Sequence, residues 1–194
     1  MYENDENTCA ILCIVMEEKM KIAVFVGSLR EDSLNKKLAR SLEELSPDNV
    51  EFEYVDINVP LLNQDIKELP EEVREMRSVV EDADAVLFVT PEYNRGVPGV
   101  LKNAIDWCSH PGNTFREKPA GIVGATISPY GTAVAQSTLR HTVGYLGMHL
   151  MGQPELYFNL ADAKFEENNK VKPEYKEKLQ NYIDKFVSHV GKFS

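Results

Sequence analysis

The chain has 194 residues, of which 43% are hydrophobic, and its 31 acidic and 21 basic side chains give a net charge of −10 at pH 7. A chain of this size can bury one substantial core, so a single domain is expected, and no run of about 18 apolar residues suggests a membrane span. The acidic balance argues against a nucleic acid or an anionic membrane as the partner.

Residues 1–19 differ from the rest of the chain. Their apolar run, from Cys9 to Met16, is short, and no basic residue precedes it, so the segment does not fit a secretory signal. Met20 opens a strand-like segment that is typical of the start of a domain. We therefore expect residues 1–19 to be an N-terminal extension that is poorly ordered or packs on a neighbour, and residues 20–194 to form the domain.

The cysteines and histidines predict neither a disulfide framework nor a metal site. The chain has three cysteines, Cys9, Cys13 and Cys108, which do not form an even set of the kind that crosslinks secreted domains. A reducing cytoplasm is the expected location. The four histidines are not spaced as metal ligands, so no metal is predicted.

Strands and helices alternate from Met20 onward. The predicted strands cover residues 21–26, 52–56, 85–90, 120–125 and 148–151, and the predicted helices cover residues 33–45, 71–82, 98–108, 132–146 and 173–190. The run over residues 85–89 is apolar without alternation, as in a strand that is covered on both faces. The pattern predicts an α/β fold with a doubly wound, five-stranded parallel sheet and helices on both faces.

The loop after the first strand, residues 27–35, has the composition of an anion site. Ser28 and Ser33 supply hydroxyls, Asn35 an amide and Arg30 a positive charge, and the loop leads into the start of a helix, where free N–H groups attract phosphate. The alternative is that the loop only caps the helix. A phosphate also requires the neighbouring acidic residues, 31 and 32, to face solvent.

The loop after the third strand leads into the helix at residues 98–108 and is rich in amide and backbone polar groups. In a sheet with strand order 2-1-3-4-5, ligands bind beyond the carboxyl ends of strands 1 and 3, where the order reverses. Both polar loops would lie at that point. The alternative is that Gly96, Pro98 and Gly99 only form a turn and begin the helix, with Pro98 at the first helical position.

Missing motifs narrow the choice of ligand. The sequence contains no Gly-x-Gly of a dinucleotide fingerprint, no phosphate loop of a nucleoside triphosphatase and no Gly-x-Ser-x-Gly hydrolase motif. A single phosphate beside a loop that suits a flat polar ring fits a mononucleotide.

The two loops together resemble the NADPH-dependent FMN reductase family, which has the flavodoxin-like fold and includes quinone, chromate and azo reductases. The resemblance runs from Met20 to about Gln153, and the residues that carry it are Gly27-Ser28-Leu29-Arg30, Ser33, Asn35, Pro91-Glu92-Tyr93-Asn94, Gly96, Pro98-Gly99 and residues 101–107.

The resemblance implies a site for FMN. It assigns the phosphate to Ser28, Arg30, Ser33 and Asn35. A third loop, after the fourth strand, would approach the pyrimidine edge with Ser128 and Gly131, although Pro129 and Tyr130 depart from the glycine-rich pattern of many relatives. The border of the isoalloxazine, formed largely through backbone groups, is assigned to Pro91, Glu92, Tyr93, Asn94 and Gly96.

The resemblance also implies an enzyme in which the cofactor carries the hydride chemistry and no side chain acts as nucleophile or general base. NADPH or NADH would reduce the flavin, and a quinone, free flavin, azo compound or metal oxyanion would then accept the electrons in a ping-pong scheme. The alternatives are a flavodoxin-like electron carrier without enzymatic activity and an interaction protein that has lost FMN.

The helix at residues 98–108 has a second face, with Val100, Asn103 and Trp107. An exposed tryptophan would be costly in a monomer, so this face is either a contact between subunits or part of a wide stripe toward the core. Because the resemblance implies dimerisation through helices beside the flavin, we predict a homodimer or a tetramer.

Overall fold

The structure is a computed structural model that describes residues 19–193. Its strands and main helices are β1 Met20–Val26, α1 Leu34–Glu44, β2 Val50–Tyr54, α2 Glu71–Asp82, β3 Ala85–Val89, α3 Gly99–Ser109, β4 Pro119–Ala125, α4 Ala133–Tyr145, β5 His149–Leu150, β6 Leu156–Phe158 and α5 Pro173–Val190. A short 3-10 helix, Ala161–Lys164, follows β6. The predicted extension lies outside the described residues apart from Lys19, so it stays a prediction.

The strands form one sheet in the order β2-β1-β3-β4-β5, and every strand pair is parallel. The flavodoxin-like order 2-1-3-4-5 is therefore confirmed. The chain leaves β1 to the β2 side and returns on the β3 side, so the order reverses between β1 and β3. The loops that follow these two strands lie at the same edge of the sheet.

The far edge of the sheet differs from the prediction of one strand over residues 148–151. Two short strands share this position, because β5 pairs with the beginning of β4 and β6 pairs with its end. Gly152 and Pro154 lie between them. Proline has no N–H for the ladder and glycine disfavours extended strand, so the pairing is interrupted at this point.

Alternate residues of each strand face two separate apolar clusters, as a sheet covered on both faces requires. In β1, Ile22 and Val24 pack with α1 and α5, whereas Ala23 and Phe25 pack with α2, α3 and α4. The prediction of helices on both faces is confirmed. No helix in the described part of the chain is long and apolar enough to cross a membrane.

Trp107 is buried within the chain, so of the two alternatives for the second face of α3, the wide stripe toward the core is the correct one. Only 2% of the residue is exposed, and its Nε1 donates a hydrogen bond to Pro60 O at 2.7 Å. Asn103 donates to the same oxygen at 2.9 Å and accepts from Leu62 N at 2.8 Å. The segment after β2 thus covers the second face of α3, and this face no longer supports the prediction of a dimer.

Candidate functional site

Three loops converge beyond the carboxyl ends of β1, β3 and β4, where they form a cleft of about 260 Å³. The cleft contains predicted site residues from the first two loops and three residues that directly follow or end β4. The predicted ones are Ser28, Arg30, Ser33, Asn35, Pro91, Glu92 and Tyr93. The other predicted residues, Asn94, Gly96, Ser128 and Gly131, do not line the cleft and belong to the turns beside it.

A larger cleft of about 480 Å³ lies at the ends of β1 and β2 and shares only Ser28 with the smaller one. We assign the site to the smaller cleft because all three polar loops meet there, at the point where the strand order reverses.

The first loop has hydrogen-bond donors that the described residues leave unused. The backbone N–H groups of residues 29–34 and the guanidinium of Arg30 donate to no acceptor in the described part of the chain. The hydroxyls of Ser28 and Ser33 lie at the buried base of this loop. Unused donors around a helix start are what a phosphate requires, so the donor set fits a phosphorylated ligand.

Ser33 also caps α1, because its Oγ accepts from Asn35 N at 3.2 Å. The capping alternative is therefore correct for this residue, and its hydroxyl hydrogen still points to no described acceptor. α1 begins one residue later than predicted for this reason. Capping and anion binding use different atoms of the same hydroxyl and are compatible.

The two acidic residues of the first loop do not block an anion. Glu31 and Asp32 are both exposed, and Asp32 forms an ion pair with Lys37 Nζ at 2.6 Å. The hydrogen bond and the charge of Lys37 hold the pKa of the Asp32 carboxyl below its ordinary value. This carboxylate is thus directed toward α1 and solvent, as the phosphate prediction requires.

Asn35 links the first loop to the end of β4. Its Nδ2 donates to Ala125 O at 2.9 Å and its Oδ1 accepts from Ala125 N at 2.9 Å. The side chain is buried, so it acts as a peptide-like bridge across 90 residues of sequence. One hydrogen of the amide remains for a phosphate, and the role of Asn35 in binding stays a prediction.

The second loop is a tight turn between Tyr93 and Gly96, whose backbones exchange hydrogen bonds of 3.1 and 3.0 Å. Both central residues, Asn94 and Arg95, have positive φ angles of 51° and 62°. This geometry is a type I′ turn, in which asparagine is well tolerated. Pro98 precedes α3 as its N-cap rather than occupying the first helical position.

Glu92 links the second loop to the start of α4. Its Oε2 accepts from the backbone N–H groups of Val134 and Ala135 at 3.0 and 3.1 Å. Thr132, at the N-cap of α4, makes no side-chain cap of its own. A carboxylate from 42 residues away therefore caps this helix and meets the positive end of its dipole. The sequence pattern did not reveal this contact.

At the end of β4 and in the third loop, two glycines lie too close to neighbouring atoms to accept a side chain. At Gly131, with φ of 70°, an added Cβ would lie 2.9 Å from Tyr157 Cβ. At Gly124, inside β4, an added Cβ would lie 2.2 Å from Thr90 O. Glycine inside a strand often marks such an approach, so Gly124 could have been singled out from the sequence.

Thr126 and Ile127 also line the cleft and were not predicted. They directly follow β4, so the rule that placed the other loops at this edge would have found them. With Leu34 and Pro91, Ile127 gives the cleft an apolar side suited to a planar ring.

The fold and the cleft fit a class of protein: α/β proteins with a site for a phosphorylated planar cofactor where the sheet order reverses. Among residues 19–193, no group of three or more His, Cys, Asp or Glu side chains could hold a metal ion. Residues 20–163 match the family described as NADPH-dependent FMN reductase. The chain therefore belongs to that family.

The similar proteins are oxidoreductases. A 2-hydroxy-1,4-benzoquinone reductase from a Burkholderia species is 45% identical, with 88% of this chain and 96% of the relative covered. A quinone reductase from Pseudomonas putida is 41% identical over 90% of this chain and 97% of the relative.

Among solved structures, the flavoenzyme NAD(P)H:(acceptor) oxidoreductase FerB from Paracoccus denitrificans has a TM-score of 0.85 at 38% identity, covering 90% of this chain and 98% of that protein. The chain is an NAD(P)H-dependent oxidoreductase with FMN as its cofactor. The alternatives of a non-enzymatic carrier and of an FMN-free interaction protein are thereby set aside.

Proposed function

We propose that this enzyme transfers reducing equivalents from NADPH or NADH to a quinone by a ping-pong mechanism. The observation that carries the proposal is the single cleft in which all three loops meet, because donor and acceptor would have to use one open mouth in turn. Bound FMN supplies the two-electron chemistry. In total, reduced pyridine nucleotide, one proton and the quinone give oxidised nucleotide and hydroquinone.

The chain's own residues would bind and orient the reactants. The unused N–H groups of residues 29–34, with Ser28, Arg30 and Ser33, would hold the phosphate. The backbone of residues 91–96 would border the ring on one side, where the N–H groups of Asn94 and Arg95 bond no described acceptor. The loop of residues 128–131, whose N–H groups already bond Thr126 and Ser128, would border it on the other. The quinone preference is supported by the names of the relatives. Free flavin, azo compounds and metal oxyanions are the competing acceptors.

We propose a homodimer, or a tetramer, in the cytoplasm. On α4, which begins beside the cleft, Val134 and Tyr145 are substantially exposed, and such apolar groups on one helix favour a protein contact. Light scattering at micromolar concentration should give a multiple of 21.9 kDa. A particle of the single-chain mass would contradict the dimer and leave the catalytic proposal standing.

The decisive experiment follows the visible absorbance of the purified, FMN-loaded protein under anaerobic conditions. Addition of NADPH or NADH should bleach the flavin, and a later addition of 1,4-benzoquinone should restore the colour. Initial rates at several concentrations of both substrates should give parallel lines in double-reciprocal plots. Intersecting lines would contradict the ping-pong mechanism, and bleaching that no quinone reverses would contradict the quinone as acceptor.

Arg30→Gln tests the assignment of the phosphate site. Because an exposed charge contact contributes about 1 kcal/mol, FMN affinity should fall about fivefold or more. The matched control is Arg116→Gln, an exposed arginine at the opposite edge of the sheet that changes the net charge equally. Equal FMN affinity in the two variants would contradict the role of Arg30.

A further inference from the structure

The turn beside the cleft carries an arginine whose hydrogen-bonding capacity is mostly unused. The side chain of Arg95 is 61% exposed, and its Nη1 lies 3.4 Å from Glu92 Oε1, a long contact. Within residues 19–193, its Nε and Nη2 donate to no acceptor. A planar cation with free, parallel donors thus faces the solution beside the site.

The same guanidinium lies against an aromatic surface. Its carbon is 5.2 Å from the centroid of the Tyr130 ring, and that residue is 70% exposed. Tyr93 and Ile127, on the same rim, are also exposed. A flat ligand entering the mouth would therefore meet apolar surface and a positive charge together.

The turn fixes the point from which the Arg95 side chain leaves the backbone. Arg95 occupies a central position of the type I′ turn, and the exchanged hydrogen bonds between Tyr93 and Gly96 hold the turn closed. Glu92 contacts the guanidinium only at Nη1, and its other oxygen bonds the two N–H groups at the start of α4. The Nε and Nη2 donors of Arg95 are therefore left for an anion.

We infer that Arg95 is a specificity-determining residue that favours acceptors whose quinone ring carries a negative charge, namely hydroxyquinones. This inference rests on the proposed function. A hydroxyl on a quinone ring is a vinylogous acid that is ionised at neutral pH, and its charge is shared by two oxygens. The ionised oxygen also lies beside a carbonyl oxygen of the ring, and this adjacent pair in one plane matches the fork of a guanidinium, which binds planar anions through two N–H groups.

Arg95 stays protonated throughout and takes no part in the electron transfer. The reduced pyridine nucleotide loses a hydride equivalent, and the acceptor ring gains it with one proton from solvent, so that both carbonyls become hydroxyls. The ionised hydroxyl takes up a further proton in water. Arg95 acts only on the binding and orientation of the charged ring.

The test compares two acceptors of similar size, 2-hydroxy-1,4-benzoquinone and the uncharged 2-methoxy-1,4-benzoquinone, on the FMN-loaded enzyme. Opposite unit charges about 4 Å apart in water gain about 1 kcal/mol, which corresponds to about fivefold in kcat/KM. Arg95→Gln should therefore lower the hydroxy-to-methoxy ratio of kcat/KM about fivefold. Arg95→Lys, which keeps the charge but loses the fork, should restore part of the ratio.

Arg116→Gln is the matched control and should leave the ratio unchanged. Higher salt should lower the ratio in the wild-type enzyme but not in Arg95→Gln, because screening acts on the charge. A ratio that is the same in wild type and Arg95→Gln, with the methoxyquinone still reduced, would overturn this inference alone. A wild-type enzyme that reduces neither quinone would overturn the proposed function and this inference together.

Discussion

Replacement of Asn35 by alanine should be among the most damaging single changes near the site. Asn35→Ala removes both hydrogen bonds to Ala125 and leaves the N–H and C=O of that residue unpaired where only 1% of it is exposed. Each buried group left unpaired costs about 1–3 kcal/mol. We expect a loss of about 2–5 kcal/mol in the free energy of unfolding, from a total of about 5–15 kcal/mol for a domain.

Urea unfolding of the FMN-free protein measures this loss without the stabilisation that a bound ligand adds. Asn35→Asp should not restore stability, because a buried carboxylate cannot donate to Ala125 O. Asn58→Ala is the control, since this exposed side chain makes no hydrogen bond within residues 19–193, and it should change stability by no more than about 0.5 kcal/mol. If Asn35→Ala were as stable as this control, the hydrogen bonds between Asn35 and Ala125 would not be what holds the first loop to β4.

Three further changes probe other parts of the same edge. Glu92→Ala should lower the free energy of unfolding by about 2–3 kcal/mol, because it removes the carboxylate that caps α4, and Glu92→Gln should lower it by less. A loss below about 0.5 kcal/mol for both variants would contradict the capping role. Gly124→Ala should cost about 3 kcal/mol through its clash with Thr90 O, whereas Gly144→Ala, in open space on α4, should stabilise the protein by about 0.5–1 kcal/mol in the same urea titration. Burial raises the pKa of the Cys108 thiol to about 12, so in a chain whose other cysteines are serine, a thiol reagent at pH 8 should label it only as the protein unfolds. Rapid labelling of the folded protein would show that the thiol is accessible.

The fold was predictable because its signals are local. The apolar run of residues 85–89 and the polar loops after β1 and β3 are visible in the sequence, and the rule for parallel sheets places those loops together. The split of the last sheet position was less visible, since it depends on where Gly152 and Pro154 interrupt pairing with β4. The burial of Trp107 depends on the path of the segment after β2, which no periodicity describes.

The predicted site residues lie on loops that the structure brings together at one edge of the sheet. Seven of them line one cleft, but the side chains of Asn35 and Glu92 are largely engaged by backbone groups at the end of β4 and at the start of α4. The order of strands and loops in the sequence indicates which loop a side chain belongs to. It does not state which backbone atom, 90 or 42 residues away, the register of the sheet brings within hydrogen-bonding distance.

The side-chain bonds of Asn35 and Glu92 explain how the loops of the cleft stay in place while donors of the first loop remain unused. Asn35 joins the first loop to the end of β4, and Glu92 joins the second loop to α4, so all three loops are held by side chains. The backbone N–H groups of residues 29–34 therefore need no hydrogen bond within the described chain to hold the loop in place. A ligand that meets donors already in place loses little affinity to the ordering of loops. Loosening either link should therefore weaken FMN binding even though neither change removes a donor of the first-loop backbone.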